Sequence, residues 1–267
     1  MRRGGGGIRR LLSETRCPGY LFMGLLLGFW EVAALADLVD ADFIPRITAI
    51  AVSCGELIRS GELPQHVART LARTFQGYAW GILLGVAVGA ASGLWRPVHA
   101  LLGLTIEILR PMPVVATIPI GILFLGMGNR MNVFVVALAT TWPIYVNTFQ
   151  GVRRVGAELI DTGRIFGCHP PRNIFKIVLP AAMPFIVSGL RVSLAIGLIV
   201  AVISEMLVSG DGLGHFIVDT AQAFRVPEMY AGVIATAAVG YALNRTFLAV
   251  ENRFMGWHKG FTAQRAA

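Results

Sequence analysis

Four ionisable side chains sit inside long apolar runs of this 267-residue chain: Glu107, Arg110, Arg191 and Glu205. Charge is expensive in lipid, so intramembrane ionisable groups are functional candidates by default. Glu107 and Arg110 lie three apart on one helical face, where they can pair. Arg110 falls thirteen residues past Pro97 and Arg191 eleven past Pro180, about 20 Å and about 16 Å along their helices. Glu205 is fourteen residues beyond Arg191, within about 40° of the same face. Two chemistries fit. The arginine forks can offer paired hydrogen bonds to a planar oxyanion in a central pathway. Alternatively, Glu107, Glu205 or backbone freed at Pro111 and Pro113 hold the guanidiniums, which then only tie the bundle together. No catalytic triad stands out. His66, His99, His169, His215 and His258 are dispersed without metal-ligand spacing. Cys17, Cys54 and Cys168 form no CxxC pair and read as free thiols or core fillers.

The elements that position these groups follow from composition. The chain is 55% hydrophobic and 14% charged, with mean hydropathy +0.66, against about 45–50% and about 25% in soluble domains. Strand-like alternation is absent, and only helices or closed barrels satisfy their backbone in lipid. The expected fold is all-α, a single polytopic transmembrane bundle of about six spans: 19–38, 74–95, 98–127, 131–149, 181–207 and 229–249. Residues 39–75 have helical periodicity but are too charged to cross lipid, and read as one or two interfacial helices. The third span is broken by Pro111, Pro113 and Pro119. Gly81, Gly85 and Gly89 form a small-residue stripe for close packing, more within the chain than across a dimer seam. Asp211 to Gly214 reads as a turn.

Net charge is +8, and topology accounts for most of it. With the N-terminus inside, Arg96, Arg153, Arg154, Arg164, Arg172, Lys176 and Arg245 fall on the cytoplasmic side with the basic termini, while acidic residues gather outside. Nucleic acid is not an expected partner. The division is a basic segment 1–18, a single membrane domain 19–255 with a cytoplasmic loop at about 150–180, and a tail 256–267. A signal peptide cleaved after Ala34-Leu35-Ala36 is disfavoured, because the apolar run is long and carries Glu31.

The loop DTGRIFGCHPPRNIFKIVLP carries the most specific spacing. Counting from Asp161, Gly167 falls six residues on, Ile177 sixteen and Pro180 nineteen, preceded by Leu179. This frame resembles the loop of ABC importer permeases, written Glu-Ala-Ala, three residues, Gly, nine residues, Ile, one residue, Leu-Pro. LRPMPVVATIPIGILFLGMGN, WPIYVNTFQGVRRV, LPAAMPFIVSGLRVSL and AVISEMLVSGDGLGHFI look like the nitrate, sulfonate and taurine importer permeases, from Gly19 onward. The departure is Asp161-Thr162-Gly163 in place of Glu-Ala-Ala. Asp keeps the carboxylate, and Gly163 costs about 1 kcal/mol of helix propensity against alanine.

The resemblance implies a type I ABC importer permease whose loop forms a short coupling helix docked in an ATPase subunit. Gly167 permits a close turn, Pro170 and Pro171 suit the first turn of a second short helix, Ile177 and Leu179 supply an apolar face, and Pro180 starts the next span. It implies a second permease copy, an ATPase dimer, an extracytoplasmic binding protein and surrounding membrane lipid, in a bacterial inner membrane. No GxxxxGK[ST] motif occurs, so the chain is not the ATPase. It holds no cofactor; ATP and Mg belong to the partner. The expected cargo is nitrate, a sulfonate, taurine or a similar small anion. The alternatives are an uncharged or pyrimidine-type substrate, or an ion-coupled secondary transporter. The last would show inverted hydropathy repeats, which are not seen. An intramembrane enzyme would need convergent catalytic groups, and the charges are separated.

Overall fold

The computed structural model describes residues 17–36, 43–166 and 170–254. Helix α1 is Cys17–Leu35, α2 Ile47–Arg59, α3 Glu62–Leu94, α4 Arg96–Leu109, α5 Ile118–Leu125 and α6 Asn129–Arg153. Then come α7 Ala157–Ile165, α8 Pro170–Asn173, α9 Leu179–Val208, α10 Leu213–Gln222 and α11 Val226–Phe254. No strand occurs among the described residues. Among the described residues, 62–94, 174–208 and 226–253 are long and apolar enough to cross a membrane, and α4 with 114–125, bent by 93°, makes a fourth if the pair counts as one span, against the six expected. The bend sits where Pro111 and Pro113 remove backbone donors.

One expectation changes here. Residues 62–75, read as interfacial, are the first turns of α3. At 33 residues, α3 runs about 50 Å and outreaches a hydrocarbon core of about 30 Å. Its charged start has somewhere to go, as shown below. Helix α2 falls within the 39–75 segment, and another short helix, α10, follows the Asp211 turn. Glu31 in α1 accepts from the N–H of Ile47 at 2.6 Å and the Thr48 hydroxyl at 3.0 Å, so a carboxylate from another helix caps the positive start of α2.

The core is the seam of α3, α6 and α9. Alpha-helix α6 has 25 residues, long enough to cross, yet its buried face carries Asn132, Thr140 and Thr148. Thr140 satisfies its hydroxyl by donating to the Val136 carbonyl at 2.8 Å, so it packs as a small residue. Against it lies the glycine stripe, which extends over Gly77, Gly81, Gly85, Gly89 and Gly93, each facing α6. The stripe therefore packs within the chain, as its spacing suggested. Exposed Leu21, Phe22, Leu25 and Phe29 on α1 form an apolar outer face suited to lipid.

Candidate functional site

At one end of the bundle the loop between α6 and α9 is a compact structure. Helix α7 is followed by α8, a wide π-helical turn over Ile174–Val178, and α9. Pro170 and Pro171 open α8, where a missing N–H costs little. Pro180 sits exposed in the first turn of α9. Asp161 is exposed and Gly163 buried. Gly167 lies outside the described residues.

Gly163 has a packing reason. A Cβ there would collide with the Ile177 Cδ1 methyl and lie 2.9 Å from Asn173 Oδ1. The residue that departs from the Ala of the family frame is thus the one that lets α7 close on the 174–178 turn. Ile177 packs inward, and Leu179 joins the cluster of Val152, Val178, Ala182 and Ile186. The loop's exposed apolar face is instead Leu159, Ile165, Phe166 and Phe175. Sequence spacing could not separate these two apolar sets, because the π-turn shifts the helical phase. Gly163→Val, branched where only the end of Ile177 can yield, is expected to lift α7 off the turn. Limited proteolysis of the loop should accelerate several-fold while the melting temperature of the bundle holds.

In the bundle's middle the two arginines separate. Arg110 stands at the bend after α4 and lines a cavity of about 480 Å³ with Pro113, Val114, Trp142, Pro143 and Asn147. Pro143 lies inside α6, so the carbonyl of Ala139, also in this wall, loses its usual donor. Arg191 lines a second, apolar cavity of about 460 Å³ between α9 and α11. Val200, in the Arg110 cavity, is nine residues past Arg191, half a turn round α9. The arginines therefore address opposite sides of that helix.

The expected ion pairs are absent. Glu107, Arg110 and Arg191 are exposed and make no ion pair or hydrogen bond from their side chains among the described residues. Glu205 is not the partner of Arg191; it is buried against Arg73 of α3 at 2.9 Å. Arg73 was missed because residues 62–75 looked too polar to enter the bundle.

This far-end cluster is densely satisfied. Glu205 is 0% exposed and its other oxygen accepts from the Thr70 hydroxyl at 2.7 Å and the Gly214 N–H at 3.2 Å. Arg73 also donates to the Asp211 carbonyl and Asn129 Oδ1, at 2.9 and 3.1 Å, and its Nη2 pairs with Asp211 Oδ1. The Leu213 N–H reaches the Thr70 oxygen at 2.8 Å and the Gly212 N–H reaches His66 Nδ1 at 3.1 Å. Burial raises the Asp211 carboxyl, but its hydrogen bond and charge attraction to Arg73, with Arg69 and His66 nearby, prevail and hold it below the usual range. The network clamps α3, α9, the 209–212 turn and α10 into one unit. None of these groups forms a metal-ligand set among the described residues.

A helical bundle with a helix pair bent by 93°, a cavity-lining arginine at the bend and a structured loop before its penultimate long helix fits a membrane transport subunit. The chain belongs to the family described as the binding-protein-dependent transport system inner membrane component, matched over residues 81–254. It is similar to an aliphatic sulfonates transport permease protein, SsuC, of Bacillus subtilis (strain 168), 30% identical over 243 residues, covering 91% of this chain and 88% of that protein. It is also similar to the taurine transport system permease protein TauC of Escherichia coli (strain K12), 27% identical over 243 residues, with 88% of each covered. The bicarbonate transport system permease protein CmpB of Synechococcus elongatus is 32% identical over 177 residues, 66% of this chain and 64% of that protein. The fold matches the inward-facing MetNI methionine ABC transporter, with TM-score 0.57 and 22% identity over 70% of this chain and 95% of that one. A histidine-bound amino acid ABC transporter gives TM-score 0.58 and 18% identity over 74% and 95%. The protein is a multi-pass permease subunit of an ATP-binding-cassette importer for small solutes. It is not an enzyme; hydrolysis falls to a separate ATPase, and a substrate-binding protein completes the system.

Proposed function

We propose that this permease passes a small oxyanion, a sulfonate or taurine before bicarbonate or nitrate. The observation that carries this reading is Arg110: a guanidinium at a broken helix, lining a cavity, with no carboxylate partner among the described residues. An unpaired fork lining a cavity can donate two parallel hydrogen bonds to two oxygens of one oxyanion, and the order of anions follows the relatives named above, permeases for sulfonates, taurine and bicarbonate. The pathway lies between two copies of this chain. The loop faces the cytoplasm, where Ile165, Phe166 and Phe175 seat against an ATPase that holds ATP and Mg. ATP binding closes the ATPases, the loop carries the movement into α9, and the pathway turns outward. Hydrolysis resets it.

The test is uptake by the reconstituted assembly. Arg110→Ala should cut transport about tenfold or more, an effect on the scale of one charge-assisted contact, with assembly intact. Arg110→Lys should recover part of it. Undiminished uptake in Arg110→Ala overturns the pathway role. Thermal shift of the partner binding protein with taurine, alkanesulfonates, nitrate and bicarbonate then ranks the anions, and a shift with a neutral pyrimidine alone overturns the oxyanion reading.

A further inference from the structure

At the end of the bundle opposite the loop, one residue holds a backbone that its side chain should forbid. Phe224 has φ 56°, and no other non-glycine among the described residues has positive φ. It follows α10 directly. The Arg225 N–H donates to the Thr220 carbonyl at 2.9 Å and the Phe224 N–H to the Ala221 carbonyl at 3.1 Å, the pattern of a Schellman helix end. That motif puts glycine at the left-handed position, because a Cβ there crowds the following carbonyl. A bulky aromatic in its place is an outlier. Burial does not offset the strain, since Phe224 is 86% exposed.

Strain that the fold does not use marks a residue kept for something outside it. The surroundings indicate what. Arg225 forms ion pairs with Asp219 at 3.3 Å and Glu228 at 2.8 Å, all three partly exposed. Such groups belong in water, so the ring projects beyond the hydrocarbon and not into it. An aromatic standing above a charged rim is the form of a protein-binding anchor. Its support is rigid, because the start of α10 is fastened by the Leu213 N–H on Thr70 and the Gly214 N–H on Glu205. The helix that carries the ring is thus held in place before any partner arrives, which lowers the entropy cost of docking.

We infer that Phe224 is an anchor for the extracytoplasmic substrate-binding protein, inserted into an apolar pocket on that partner's surface. This inference rests on the orientation given under the proposed function. The experiment titrates labelled binding protein onto the permease–ATPase assembly in lipid nanodiscs and melts each assembly in parallel. Phe224→Gly and Phe224→Asn both suit the left-handed backbone. Each should weaken docking about tenfold or more while melting at the same or a higher temperature. Phe224→Tyr should stay within about threefold of the parent, keeping the ring. Docking unchanged in the Gly and Asn variants, with a responsive parent, overturns the anchor alone. A parent assembly that does not bind the partner overturns the functional reading together with the anchor. A fall in melting temperature, or loss of the Gly variant from the lipid with docking unchanged, makes the ring a structural or lipid contact and also overturns it.

Discussion

Replacing Arg73 by alanine should cost about 3–5 kcal/mol of stability, the scale for stripping one partner from a buried ion pair. The asymmetry of the cluster sets the ranking of its variants. Glu205 is fully buried and Arg73 is its cationic partner, whereas Arg73 also holds Asp211 and Asn129. Removing the arginine strands a buried carboxylate. Glu205→Gln leaves the guanidinium paired with Asp211 and keeps an acceptor for Thr70, so it should cost about 1–3 kcal/mol. Arg73→Met combined with Glu205→Leu should regain part of the single-arginine loss, but not all of it. The Thr70 hydroxyl and the Gly214 N–H lose their acceptor in that pair. Unfolding of the four proteins in one lipid environment measures the order. A double variant no better than Arg73→Ala would show that the carboxylate is not what the arginine holds down. Acid gives a separate handle. The Asp211 carboxyl is lowered from 3.8, so its contribution is fully present above that value and disappears as pH falls through the lower folded one. Stability from this group should therefore be flat from neutral pH down to about 4.

The same cluster shows where the sequence stopped being legible. The proline break after α4 and the glycine stripe are local patterns, set by proline or by a period of four residues, and both are present in the structure; of the loop frame, Pro170, Pro171 and Pro180 open helices, while Ile177 and Leu179 pack inward. Arg73 and Glu205 are 132 residues apart, and nothing in either neighbourhood announces the other. Charge along 62–75 is costly in lipid, and the segment nevertheless continues into the span of α3. What neutralises it is a carboxylate at the far end of α9, so the segment became membrane-adjacent helix instead of a separate interfacial one. Pairing Glu205 with Arg191 respected helical phase yet lost to a partner on another helix. Phe224 was invisible for a related reason: a Schellman ending with phenylalanine in place of glycine carries no composition cue. The inward packing of Ile177 needed the π-turn over Ile174–Val178, whose phase shift no heptad or 3.6-residue count contains.

A second large effect lies in the α3–α6 seam. Gly85→Leu should cost about 3 kcal/mol or more, the upper end of overpacking in a closed core, and reduce recovery of folded protein from membranes. The seam leaves no slack. Even a methyl at Gly85 would stand 2.7 Å from Ile144 Cβ and 2.9 Å from the Thr141 carbonyl. Both are fixed atoms, unlike the tip of a long side chain, so relief requires the helices to part. Gly85→Ala should itself cost about 1–3 kcal/mol, although alanine is favoured over glycine in a free helix by about 1 kcal/mol. Gly28→Ala in α1, with nothing within 4 Å of the new methyl, isolates that propensity gain and should be neutral or stabilising. Shortening the opposing side chain should not rescue the seam variant. Ile144→Ala removes the Cγ2 contact but leaves Cβ and the Thr141 carbonyl where they are, and it opens a cavity around a residue that is 0% exposed. Recovery of Gly85→Ala by Ile144→Ala would mean that a side chain, not the backbone of α6, sets the approach of the two helices.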